Sequence, residues 1–219
     1  MITLFLATPV LFAQAQDQAK AKEILNKVSA KYKSYNTFKA DFTYTLEMQA
    51  DNVKETQKGS LNVRRDKEPG KEKFRLELGD MLLISDGKTF WSYQKETNEV
   101  TISNYDPKDL GFNPADIFTI YEKGYLSAYM GDETVNGKSC NIVELTPQDK
   151  KQNVFKVKLY TDKKTNEIVR SKIFEKSGNI YTIDINGFNP NIKTADTDFT
   201  FDTSKYKGVT VVDTRTKKK

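Results

Sequence analysis

The 219-residue chain contains no histidine. That removes the commonest general base, the commonest metal ligand and the usual pH switch together. A Ser-His-Asp triad, a Cys-His dyad and a His-based zinc site are excluded by inventory. There is a single cysteine, Cys140, so no intrachain disulfide can form. Its place in the apolar run Cys140–Leu145 fits a buried, inert thiol. No Asp/Glu pair is set in a motif, which leaves a carboxylate-based hydrolase without a specific basis. Nothing in the inventory calls for a cofactor or a metal, and the chain reads as a non-enzyme.

What is present describes one ordinary globular domain: 37% hydrophobic and 30% charged residues, with 13 Phe, 11 Tyr and one Trp. The aromatic content favours strands over a helix bundle. The net charge is +5, but acids are interspersed with bases almost everywhere, as in Lys67-Glu68 and Lys71-Glu72-Lys73. Only Lys217-Lys218-Lys219 and the stretch Lys150–Lys176 lean basic. This is a solvated surface rather than a nucleic-acid footprint, although a mildly basic surface favours encounters with anionic membranes or acidic partners.

The run Ile2–Ala13 is apolar, too short to span a bilayer, and followed by the small-x-small pattern Ala13-Gln14-Ala15. It reads as a secretory signal cut after Ala15, lacking the usual Lys or Arg before it. Residues 1–15 are thus expected to be the signal peptide and 16–219 the mature domain. No cysteine directly follows the cut, so the mature protein is expected to be free of a lipid anchor and soluble; it is also expected to be a monomer.

From Asp17 the spacing of Ala21, Ile24, Leu25, Val28 and Tyr32 predicts an amphipathic helix ending near Ser34–Asn36. Short strands follow: Phe42–Met48, Ser60–Arg65, Phe74–Leu78, Leu82–Ser85, Lys88–Tyr93, Glu99–Ser103, Cys140–Leu145, Val154–Thr161, Ile168–Phe174, Ile180–Ile185, Asp198–Phe201 and Val209–Val212. Ten or more strands in series point to a barrel or a strongly curled sheet. One helix interrupts them. Asn113-Pro114-Ala115-Asp116 is a helix start, and Ile117, Phe118, Ile120 and Tyr121 point nearly all round the helix before Gly124 stops it.

A two-residue turn at Asp86-Gly87 pairs Leu83 with Phe90 and Leu82 with Trp91. Leu82, Ile84, Trp91 and Tyr93 then share one face, and Met81, Leu83 and Phe90 the other. With both faces apolar and few helices to cover them, either the sheet curls onto a closed core or it keeps an apolar cavity under the helix Pro114–Tyr121. On alternation Arg65 lies on the side of Leu61 and Val63. Its guanidinium is satisfied either by main-chain carbonyls at that helix or by water.

Several stretches resemble the outer-membrane lipoprotein carrier family of LolA-type periplasmic chaperones: Phe38-Lys39-Ala40-Asp41-Phe42-Thr43, Gly59-Ser60-Leu61-Asn62-Val63-Arg64-Arg65, Leu83–Tyr93 and Phe199-Thr200-Phe201, with Gly208-Val209-Thr210-Val211 near the end. The resemblance covers essentially the whole mature chain. It implies a half-open antiparallel β-barrel with a helical lid over an apolar cavity. It also implies that acylated lipoproteins are taken from an inner-membrane exporter and passed to an outer-membrane acceptor. Ile24, Leu25, Val28, Phe42, Tyr44, Leu46, Leu61, Val63, Leu82, Ile84, Trp91 and Tyr93 are the candidate cavity lining. Ile117, Phe118, Ile120 and Tyr121 would form the lid, and Arg65 would pin it. The family often has proline after that arginine, where this chain has Asp66 and the insertion Lys67–Glu72. A lipid-sensing or regulatory protein on the same fold is the alternative.

Overall fold

The structure, a computed structural model, describes residues 9–68, 70–108 and 118–215. Helix α1 spans Pro9–Lys33, within which Ala19 and Ala21 are strong helix formers. It ends as the chain turns into the β-branched start of β1 at Thr37. Twelve strands follow: β1 Thr37–Met48, β2 Val53–Arg64, β3 Lys73–Leu78, β4 Met81–Ser85, β5 Thr89–Gln94, β6 Glu99–Asn104, β7 Tyr125–Val135, β8 Lys138–Pro147, β9 Val154–Asp162, β10 Ile168–Glu175, β11 Asn179–Pro190 and β12 Thr210–Asp213. They form one open sheet in the order β12-β6-β5-β4-β3-β2-β1-β11-β10-β9-β8-β7. The fold is mainly β with one α-helix among the described residues.

The described residues divide into two compact units. One comprises those within 9–32, 46–54 and 121–182; the other comprises those within 33–45, 55–68, 70–108, 118–120 and 183–215.

In the first unit α1 buries Ala21, Ile24, Leu25, Val28 and Tyr32. Polar contacts fix the helix to its strands. The Ile168 N–H donates to the Tyr32 hydroxyl at 3.0 Å, and the Lys31 ammonium donates to the Thr165 carbonyl at 2.6 Å. The Lys20 ammonium lies 3.5 Å from the centroid of the Tyr129 ring. Tyr129 pairs with Val143 and Val143 with Leu159, so α1 lies on the sheet face that carries those residues.

In the second unit the hairpin β4–β5 differs from expectation by two residues. Ser85 pairs with Phe90 and Ile84 with Trp91, because Asp86, Gly87 and Lys88 all belong to the connection. The Asp86 carboxylate accepts from the Lys88 and Thr89 N–H groups at 2.8 and 2.7 Å. Gly87 adopts φ +87°, and a Cβ there would stand 2.5 Å from the Lys71 carbonyl oxygen. A slip of two preserves parity, so Leu82, Ile84, Trp91 and Tyr93 still share one face.

Two further elements differ from the sequence reading. Residues Asp198 and Phe199 of the expected strand Asp198–Phe201 fall in a 3-10 helix, Asp196–Phe199. The Ala195 N–H donates to the Asp198 carboxylate at 2.8 Å, a local bond that competes with a strand ladder. Strand β7 was not expected, because its alternation breaks at a bulge between Tyr129 and Asp132.

Candidate apolar binding site

On β8 to β10 the α1-facing residues pair in rows. Val143, Leu159 and Ser171 form one row, and Leu145, Val157 and Ile173 the next. The first row's apolar members are closed: Val143 is fully buried and Leu159 nearly so. Along β9 the cover then thins. Leu159 is 4% exposed and Val157 half-buried; beyond them Phe155 sits at a bulge, and its ring lies 6.4 Å from Phe174, which belongs to the other face. Ile173, opposite Val157, is also half-buried. The result is an apolar strip that emerges from closed core toward solvent, a shape that suits the flank of a hydrocarbon chain. Ile24, Leu25 and Val28 from the candidate lining belong to this unit, all three buried. Leu46 belongs to it as well and is half-buried. Val157 and Ile173 were not among the candidates. The alternation of Val157 and Leu159 was visible, but nothing in it indicated that cover would fail at one end.

In the second unit the register separates the remaining candidates. Leu61 pairs with Leu76 and Leu76 with Leu83, while Val63 pairs with Phe74. These share a face with Phe42, whose ring lies where a Cβ on Gly59 would point, 2.3 Å away. Tyr44, two residues beyond Phe42, is half-buried. Leu82, Ile84 and Tyr93 lie on the opposite face in a closed cluster with Val100 and Phe201. Trp91, Ile102, Tyr206 and Val209 pack against that cluster. The Tyr206 ring stacks on Phe201 at 4.3 Å, and the Asn98 amide donates to the Lys207 carbonyl at 3.2 Å. The C-terminal segment therefore covers the hairpin face bearing Leu82, Ile84, Trp91 and Tyr93. Those four and the pair Leu61/Val63 cannot line one side of the sheet.

Of the expected lid helix, Asn113–Ile117 lies outside the described residues. Phe118 and Thr119 form a turn, and Ile120–Glu122 is a single 3-10 turn. Phe118 is buried against aromatic partners in the second unit, 5.6 Å from Phe38 and 5.7 Å from Phe188, both edge-on. Phe38 and Phe188 stack at 5.5 Å. Tyr121 belongs to the first unit, where the Ser29 hydroxyl donates to its oxygen at 3.3 Å. Burial pushes the Tyr121 phenol up to about 12, so it stays neutral across physiological pH.

Arg65 follows directly on β2. It is half-buried, and its N–H donates to the Asn36 carbonyl at 2.8 Å. Arg64 has a different task. Its guanidinium pairs with Asp196 and lies 5.1 Å from the Phe199 ring centroid. Lys73 reaches the same carboxylate at 2.8 Å. The hydrogen bonds from Lys73 and Arg64 hold the Asp196 carboxyl below the usual carboxylate range.

Cys140 is fully buried, and burial pushes its thiol up. Because the thiolate is the reactive species, the native protein is expected to resist a thiol reagent at pH 8 and to react fully once denatured. Rapid labelling of the folded chain would contradict this placement. Among the described residues no group of three or more acidic or cysteine side chains is placed to hold a metal ion. Nor is any helix long and apolar enough to cross a membrane.

Comparison with known proteins agrees with this architecture. An outer-membrane lipoprotein carrier protein of Legionella pneumophila strain Lens is 25% identical over 97% of this chain and 99% of its own. An uncharacterized protein of Methanocaldococcus jannaschii is 29% identical over 74% of this chain. The alignment takes in 47% of that relative, so the chain spans about half its length. Among solved structures, an uncharacterized conserved protein of Thermus thermophilus superposes with a TM-score of 0.56 at 16% identity, covering 89% of this chain and 99% of its own. The family model described as outer membrane lipoprotein carrier protein LolA matches residues 33–202. That match takes in most of the chain, and the protein belongs to the LolA family of lipoprotein carriers, a binding family rather than an enzyme family.

Proposed function

We propose that the protein is a soluble periplasmic carrier that takes acylated lipoproteins from an inner-membrane exporter, shields their acyl chains, and delivers them to an outer-membrane acceptor. The observation that carries this reading is the strip Leu159–Val157 with Ile173, in a chain of the lipoprotein-carrier family. A lipid tail is worth about 0.8 kcal/mol per buried methylene, so a long acyl chain cannot cross water unshielded. Residues 1–15 act as the export signal in this reading and 16–219 as the working domain, a monomer without cofactor.

Purified protein is incubated with membranes holding a radiolabelled triacylated lipoprotein, the exporter and ATP. The expected result is label in a soluble equimolar complex. Label that stays in the membrane, where a known carrier releases it, would overturn the transport role and favour a lipid sensor on the same fold.

Release requires that the empty carrier favour a closed state, which weakens net binding. Arg65 would hold that state, with Phe118 as part of what it closes. Arg65→Leu is then expected to retain cargo and slow hand-off to the acceptor. A hand-off rate equal to that of the wild type would remove Arg65 from the mechanism.

A further inference from the structure

We propose that the face of β7 to β10 turned away from α1 docks on anionic lipid bilayers. The Lys20 contact with Tyr129 puts α1 on the Val143 face, so the alternate residues form the other side. There Ala128 pairs with Glu144, Glu144 with Lys158, and Lys158 with Lys172. Lys156 pairs with Phe174, and Arg170 with Tyr160. Four cations thus occupy two adjacent strands, and Glu144 is the one carboxylate in the Lys158 row. Among the described residues neither Lys158 nor Lys172 has an ion-pair partner. Like charges directly opposed across strands destabilise a sheet, so this pair invites an anionic counterpart.

Apolar side chains stand beside the cations. Leu126, on the Ala128 side of β7, is 59% exposed, and Met130, at the bulge, is 51% exposed. The Lys156 ammonium sits 4.5 Å from the Phe174 ring centroid. Cations whose stems lie along apolar surface, flanked by protruding Leu and Met on the sheet's edge strand, suit the headgroup boundary of a bilayer. Mobile anionic headgroups can meet such a lattice of lysines without a matched set of carboxylates, which an acidic protein would have to supply. A carrier so docked would stay at the membrane surface while cargo enters or leaves. The surface lies on the other side of the sheet from the strip proposed to bind acyl chains, and it is tested without cargo, so each reading can fail alone.

The full chain, free of cargo, is sedimented with vesicles of phosphatidylcholine alone or with about one-third phosphatidylglycerol, at low and high salt. Binding to the anionic vesicles is expected to fall at least tenfold in the double variant K158E/K172E, given a contribution of roughly fivefold per cation near an anionic surface. High salt should weaken wild-type binding likewise. L126D/M130D should also bind less, and the thermal transitions of both variants report that they fold. K205E/K207E carries the same net charge change at exposed positions of the second unit and should bind as wild type does. Equal binding to neutral vesicles, or equal losses in the two lysine variants, would overturn the proposal. Failure of the wild type to bind anionic vesicles while it is retained on an immobilised acidic polypeptide would overturn it in favour of an acidic protein partner.

Discussion

Gly59→Ala is expected to destabilise the protein by about 1–3 kcal/mol, the range for forcing extra atoms into packed surroundings. For a chain of this size that corresponds to a fall in melting temperature of roughly 2–12 °C. The cause is contact rather than backbone conformation. A Cβ at Gly59 would lie 2.3 and 2.5 Å from two ring carbons of Phe42 and 2.9 Å from the Glu77 carbonyl oxygen. The Phe42 ring is 8% exposed and cannot swing into solvent without giving up its burial. The Glu77 carbonyl belongs to β3, which pairs with β2 through Gly59–Leu78 and Ser60–Glu77. Shortening the ring should therefore relieve only part of the strain. Gly59→Ala introduced together with Phe42→Leu is expected to cost less than the same change in the wild type, a coupling that a double-mutant cycle measures directly. An unchanged unfolding midpoint, or an equal penalty in both backgrounds, would show that Phe42 does not rest on Gly59. The outcome bears on function because Phe42, Leu61 and Val63 share the face that the closed hairpin cluster leaves to the other side.

The same interaction shows what a sequence can and cannot declare. Alternation was legible in part. Leu61-Asn62-Val63 buries the residues its period assigns to one face. In the expected strand Phe42–Met48, Phe42 is buried but Tyr44, Leu46 and Met48 are only half-buried, and Thr45, on the other parity, is buried. The helix carrying Ile24, Leu25 and Val28 was legible. The face shared by Leu82, Ile84, Trp91 and Tyr93 survived an error in turn length because the slip was even. The turn itself was misread because the Asp86 carboxylate binds two backbone N–H groups beyond Gly87 and so lengthens the connection. The polar first half of β2, exposed throughout Val53–Lys58, gave no period to read. Choosing which apolar face is closed needs a long-range fact, namely that Phe201 and Tyr206 return to cover Tyr93. Local patterning holds no trace of that return. The strip at Val157 and Ile173 was hidden for the complementary reason: its alternation is ordinary, and only the loss of burial beyond Leu159 distinguishes it.

Val157→Asp and Ile173→Asp are expected to weaken the binding of a fluorescent long-chain fatty acid by about tenfold to a hundredfold while leaving the fold in place. An acyl chain lying along these two residues would bury on the order of three or four methylenes against them, worth about 0.8 kcal/mol each, and each 1.4 kcal/mol is tenfold in affinity. A carboxylate at either position also has to be desolvated when the chain docks, which adds to the loss. Folding is spared because both positions are half-buried in the unliganded protein, so the new charge stays hydrated. Leu159→Asp, two residues along the same face but 4% exposed, should instead unfold the unit, since its charge would have no access to water. The contrast between neighbouring positions is what makes the test specific. A titration in which Val157→Asp and Ile173→Asp match the wild type, with unchanged thermal transitions, would take the strip out of acyl binding. Attention would then pass to the second unit's face of Phe42, Leu61 and Val63. Weakened binding with intact folding would place the hydrocarbon beyond Leu159, at the boundary between closed core and water.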